Sequence, residues 1–170
     1  MKMIEKDIET GKFQNVYLLY GEESYLKRQY KEKLLHALIE KGDTMNFSSY
    51  SGKEINPNEL IDLAQTMPFF AERRVILVED SLFFKNTCEE LVSYLQELPE
   101  QTCFLFVESV VDKRSKMYKQ VKKVGRITCF DRQKDDVLMR WVGSRLKKEG
   151  KTMTKVAYQQ FITKTGDDME

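Results

Sequence analysis

Apolar residues fall into short unbroken runs, separated by longer segments in which they recur every three or four positions. The runs are Val16-Tyr17-Leu18-Leu19-Tyr20, Val75-Ile76-Leu77-Val78 and Cys103-Phe104-Leu105-Phe106-Val107. They are rich in β-branched and aromatic side chains and too short for helices, as expected of strands buried on both faces. Met45 to Tyr50 is a more polar strand, placed near a sheet edge, and Arg126 to Phe130 closes the series. A first helix is predicted from about Ser24 to Glu40, with Leu26, Tyr30, Leu34 and Leu38 as its apolar stripe. Asn56-Pro57-Asn58-Glu59 starts the next, with a capping Asn, proline at the first helical position and Glu three residues after the cap. That helix carries Leu60, Ile61, Leu63 and Ala64, and Pro68 lies just past it. A third covers about Thr87 to Leu98 and stops before Pro99, and a basic helix from Asp112 to Val124 has Met117, Val121 and Val124 on one face. The order βαβαβαβαβ predicts an α/β fold, a five-stranded parallel sheet within the first ~130 residues, covered by helices on both faces.

After Asp131 the pattern becomes purely helical. Gln133 to Lys148 places Leu138, Trp141, Val142 and Leu146 in phase, with Gly150 as a C-terminal cap, and a further helix covers about Thr154 to Thr163. This piece is too short for its own core, so the expected division is an α/β domain over 1–131 and the truncated start of a helical domain over 132–170. The chain has 170 residues and a formal net charge of +1, so any contact with nucleic acid or membrane must be a local patch. The three cysteines have no CxxC spacing and there is one histidine, which excludes the usual Cys/His zinc sites and fits a reducing, cytosolic compartment. The N-terminus is charged, without an apolar signal core, and no apolar stretch approaches membrane-spanning length.

The first strand runs into Gly21-Glu22-Glu23-Ser24-Tyr25-Leu26-Lys27-Arg28. A nucleotide-hydrolysing P-loop needs Gly, four residues, then Gly-Lys-Ser/Thr at this junction. Lys27 falls at the lysine position, but Leu26 replaces the second glycine and Arg28 the Mg²⁺-binding hydroxyl. Glu22 and Glu23 sit where backbone N–H groups would cradle phosphate; they suit a helix N-terminus and repel an anion. The plain alternative is a βα turn with acidic capping, and both readings argue against ATP chemistry here. Glu79-Asp80 at a strand end is either a Mg²⁺ site or a polar strand exit, and the degraded loop favours the exit. A phosphorelay receiver would want a lysine ending the fifth strand, which instead ends in Phe130-Asp131. His36 lies mid-helix with no sign of an acyl-transfer triad. No catalytic residue, metal site or cofactor is expected.

Lys113, Arg114, Lys116, Lys119, Lys122 and Lys123 form a basic face, either phosphate-contacting or simply solvated. The segment Thr66-Met67-Pro68-Phe69-Phe70-Ala71-Glu72-Arg73-Arg74 joins a helix to a buried strand. Adjacent Phe69 and Phe70 cannot easily both point inward. Either one packs under the sheet and the other against the helix, or the rings are exposed as binding anchors.

Val16 to Glu23 followed by Tyr25-Leu26, then Met67 to Ile76, then Asp112-Lys113-Arg114, resemble in order the δ subunit of the bacterial DNA polymerase III clamp loader. Trp141-Val142 and Gly166-Asp167-Asp168 resemble the start of that family's helical lid domain. The family's chains are about twice as long, so the resemblance implies that a third, C-terminal collar domain is not included in this sequence. The resemblance implies an AAA+-like P-loop fold without a working ATP site and without intrinsic activity, belonging to a polymerase holoenzyme in the cytoplasm. It implies a subunit that binds the β sliding clamp and opens the ring for loading onto primed DNA. Other partners would be the δ′ and γ/τ subunits, mainly through the missing domain, and DNA indirectly; the fragment itself is expected to be monomeric. Carried over by position, the clamp-binding residues are Phe69 and Phe70 with Met67 beside them, Phe69 standing where leucine is commoner. The alternative is a small nucleotide-binding switch or NTPase, supported by Lys27 and Glu79-Asp80.

Overall fold

The structure, a computed structural model, describes residues 1–86, 88–131 and 135–165, the side chains of 135–138, 141, 159 and 162–165 excepted. Its elements are α1 (Lys2–Thr10), β1 (Val16–Tyr20), α2 (Ser24–Leu38), β2 (Phe47–Ser51), α3 (Pro57–Gln65), β3 (Arg74–Glu79), α4 (Glu89–Tyr94), β4 (Thr102–Glu108), α5 (Lys116–Val124), β5 (Arg126–Cys129), α6 (Asp135–Lys148) and α7 (Lys155–Thr165). The five strands are all parallel, in the order β2-β3-β4-β1-β5. The polar strand β2 therefore lies at an edge, as its serines suggest.

Alternate residues of each strand feed two separate cores, because side chains along a strand point to opposite faces. Tyr17, Leu19, Val75, Leu77, Cys103, Leu105 and Val107 meet the stripe of α2, Leu26, Tyr30, Leu34 and Leu38. Val16, Leu18, Ile76, Val78, Phe104 and Phe106 meet Leu60 and Ala64 of α3, Leu91 of α4, and Met117 and Val121 of α5. Asn56 caps α3, its side chain accepting the Asn58 N–H, with Pro57 opening the helix.

Four details differ from the expectations. Helix α1 was not foreseen, because its apolar face is narrow. Ile4 enters the core, and the rest is held by polar contacts: buried Asp7 pairs with Arg126 and accepts the Tyr17 hydroxyl, and Tyr30 donates to Glu5. The third helix is shorter than expected: beyond Tyr94 the bonds tighten to Gln96→Ser93 and Glu97→Tyr94, and Thr87 lies outside the described residues. Strand β2 starts at Phe47 rather than Met45. The basic helix starts at Lys116, because Ser115 caps it by accepting the Tyr118 N–H; Lys113 and Arg114 lie in the preceding turn.

Helix α6 ends as expected at Gly150, with φ 70°, where Lys151 N–H reaches Leu146 O and Gly150 N–H reaches Lys147 O. Met139 and Val142 pack against the α2-side core, and Tyr158 of α7 is buried in it. The side chains of Leu138 and Trp141, and Gly166-Asp167-Asp168 entirely, lie outside the described residues. Among the described residues, no helix is long and apolar enough to cross a membrane.

The turn from α5 into β5 sits directly on β1. A Cβ at Gly125 would run into the Val16 carbonyl and side chain. Backbone cannot move aside as a flexible side chain does, so Gly125→Ala should lower stability by about 2 kcal/mol. Urea denaturation of both proteins measures this difference.

Candidate functional site

In open α/β sheets, ligands bind at the carboxyl ends of the strands. In this chain the groups at that end bond largely to one another. Gly21, at φ 126°, packs against the backbone of Phe130, with no room for a Cβ. The Glu23 N–H donates to Phe130 O at 2.9 Å, so this loop donor is committed to the exit of β5. Glu23 occupies the N-cap position of α2 with its side chain buried and making no cap hydrogen bond, whereas Glu22 is exposed. The expected acidic capping is thus absent as a side-chain bond. Lys27 is buried rather than reaching outward, its Nζ donating to Gly21 O at 3.0 Å and Glu108 O at 3.2 Å. Burial pulls this ammonium below its usual pKa, opposed by the charges of Asp80, Glu108 and Glu79.

The acidic strand ends are engaged as well. Glu79 pairs with Lys31 at 2.9 Å, and Asp80, at φ 48°, accepts from the Ser109 N–H and hydroxyl. Glu108, 2% exposed, accepts from the Ser81 N–H at 3.1 Å and the Ser81 hydroxyl. Its carboxyl lies above the usual range: burial raises it most, the two Ser81 donors oppose this, and the Asp80 charge adds to the rise. Sequence reasoning passed over Glu108, whose signal is an acidic residue ending a wholly apolar strand. Burial also raises all three thiols, Cys103 to about 12, so none is a ready nucleophile. His36 is exposed on α2.

At the opposite end of the sheet, the α3–β3 loop carries Met67, Phe69 and Phe70 in the open, 78%, 54% and 93% exposed. The two rings contact edge to face, centroids 4.6 Å apart at 84°. Phe70 has φ 50°, a left-handed conformation that costs a side-chain-bearing residue about 1–2 kcal/mol. The loop is nevertheless braced. The Arg74 guanidinium donates to the carbonyls of Thr66, Met67 and Met45 at 3.2–3.3 Å. Buried Asn46 holds Phe69 twice, accepting its N–H at 2.6 Å and donating to its carbonyl at 2.9 Å, while Asp43 accepts from the Asn46 amide. As a positioning residue Asn46 is invisible in the sequence, where it is one more polar residue beside the polar edge strand β2.

The basic residues Lys113, Arg114, Lys116, Lys119, Lys122 and Lys123 are all exposed. Arg114 pairs with Asp112, Lys116 with Glu89, and Lys113 lies over the Tyr20 ring. Lys119, Lys122 and Lys123 make no ion pair with another described residue.

Together the fold and its strand ends define an α/β domain of AAA+-like fold, in which Lys27, Glu79 and Glu108 at the carboxyl end of the sheet are bonded within the chain. The family model for "DNA polymerase III, delta subunit" matches residues 17–130, and the chain belongs to that family of clamp-loader components. It is 27% identical over 130 residues to DNA polymerase III subunit delta of Bacillus subtilis (strain 168), covering 69% of this chain and 38% of that protein. In fold it is similar to the Bacillus subtilis DNA clamp loader delta protein, with TM-score 0.76 and 23% identity over 95% of this chain and 51% of that one. A DNA polymerase III gamma subunit-related protein from Thermotoga maritima is a more distant match, with TM-score 0.53 and 14% identity over 93% and 57% of the two chains. The chain thus spans about half or less of the length of its relatives.

The raised Glu108 carboxyl makes stability depend on pH with a definite sign. Between the ordinary glutamate value and the raised one, the folded chain holds a proton that the unfolded chain has released. Stability from this group is therefore present below the ordinary value and lost as pH rises through the raised one. Glu108→Gln removes the titration. Urea denaturation from about pH 4 to about pH 7 should show wild type losing stability relative to the variant as pH rises.

Proposed function

We propose that this chain is the clamp-gripping part of a delta subunit: it binds the β sliding clamp through Phe69 and Phe70, with Met67 beside them, and helps to open the ring. The observation that carries this reading is the aromatic pair itself. Phe70 stands almost wholly in solvent on strained backbone, and Phe69 beside it is 54% exposed, both on a braced loop. Strain of this kind clusters at functional sites, and aromatic anchors dominate interface energetics.

The rest of the proposal follows from membership of the family. Residues 1–131 would form the α/β domain and 132–170 the start of a helical lid, with a collar domain supplying contacts to δ′ and γ/τ subunits. Lys119, Lys122 and Lys123, with the neighbouring basic residues, are the groups available to a DNA backbone. The protein would work in the cytoplasm as a subunit without its own catalytic activity. The competing reading, a nucleotide-binding switch, would need Lys27 to leave two carbonyls and Glu79 to leave Lys31.

Calorimetry separates the two readings. Mg-ATP at millimolar concentration should give no saturable heat, and micromolar affinity would establish the switch instead. Phe69→Ala and Phe70→Gly should each weaken binding to the purified clamp by about 2 kcal/mol, roughly thirtyfold. Stability should barely change for the first and hold or rise for the second, since glycine relieves the strain at φ 50°. Unchanged clamp affinity in both well-folded variants would remove the pair from the interface.

A further inference from the structure

The buried amide of Asn46 spends its hydrogen bonds on the loop that carries the aromatic pair. Its side chain has two donor N–H groups and an oxygen with two lone pairs; both donors and the oxygen are in use. Oδ1 accepts the Phe69 N–H at 2.6 Å; Nδ2 donates to Phe69 O at 2.9 Å and to Asp43 Oδ2 at 2.7 Å. A flipped amide would break all three, so the orientation is fixed by its partners. Asn46 is 3% exposed, and its own carbonyl accepts the Val75 N–H at 2.8 Å, directly beside the ladder between β2 and β3. The sheet thus extends through one side chain onto the backbone of one loop residue. Asp43 secures the other side, its carboxylate also accepting the N–H groups of Met45 and Asn46. Those bonds hold its carboxyl below the ordinary aspartate value, so the brace persists through the neutral range.

The gripped residue is Phe69, and the next is Phe70 on left-handed backbone. An unbraced loop would relax Phe70 to ordinary φ and swing its ring away from Phe69. We infer that Asn46 is a positioning residue for the aromatic pair, holding the Phe69 backbone against the sheet so that both rings are set before a partner arrives. This rests on the reading that the pair grips the sliding clamp. Without the brace, the binding-competent arrangement becomes a minor state, and apparent affinity falls by the fraction that remains competent.

The test uses the 170-residue chain with Asn46→Ala and the nearly isosteric Asn46→Leu, which keeps the volume and removes the hydrogen bonds. Amide exchange reads the brace without any partner. Phe69 N–H should exchange at least about tenfold faster in both variants, while Ile76 and Leu105 in the sheet stay protected. Binding kinetics with the purified β clamp should show affinity weakened about tenfold, mainly through slower association. Phe70→Gly should instead speed dissociation. Unchanged Phe69 exchange, or faster exchange with wild-type association, overturns the inference. If Asn46→Ala also loosens the sheet, Asn46→Leu decides, and loss of sheet protection there makes Asn46 an ordinary core residue. Clamp binding that Phe70→Gly weakens and the Asn46 variants leave intact defeats this inference alone. No clamp binding by wild type defeats the gripping reading and the inference with it.

Discussion

An all-parallel sheet must be covered on both faces, and it sends every strand's carboxyl end to the same side. Much of this molecule follows from that constraint. The two covers require apolar strand centres, which is why β1 and β4 are buried along their length and β3 up to Glu79. The shared carboxyl end collects the exits of β1, β3, β4 and β5, with their acidic residues. A crevice there, left to water, would be a ligand site. Here the Lys27 ammonium enters it and bonds to the exits of β1 and β4 at once, through Gly21 and Glu108. The acidic side chains find their partners within the chain, Glu79 on Lys31 and Glu108 on Ser81. A lysine that would neutralise phosphate in a working loop instead ties two strands together.

The sheet was legible because burial on both faces leaves an unmistakable pattern: a short run with no polar interruption, between helices with an i+4 stripe. The same logic explains what the sequence hid. Helix α1 is anchored by Ile4 and by Asp7 against Arg126, residues 119 positions apart, and a long-range ion pair leaves no local signal. The start of α5 turned on which residue caps it, Asp112 or Ser115; both have suitable side chains, and Asp112 was taken by the turn that holds Arg114. In the β1–α2 loop, the departures from a phosphate-binding pattern were plain, but the inward turn of Lys27 depends on the Gly21 and Glu108 carbonyls and is visible only in three dimensions. The adjacent phenylalanines could be singled out, whereas the decision between core and solvent lay with Asn46 and Arg74, which fix the loop from outside its own apolar pattern.

The bonded strand ends around Lys27 and the aromatic pair lie at opposite ends of the sheet, and their chemistry differs. At the carboxyl end, the buried Lys27 and Glu108 side chains are hydrogen-bonded within the chain. At the amino end, apolar area is left in water and the backbone is held away from its minimum. Such a surface is useful when a partner's pocket supplies the burial that the chain withholds. Phenylalanine suits this role because a rigid ring loses little conformational freedom on docking, unlike a long flexible side chain of similar area. The edge-to-face contact of the rings further limits them to one joint shape. A braced loop therefore meets its ordering cost at folding, against a sheet already ordered, and would leave less to be lost in any interface built on it.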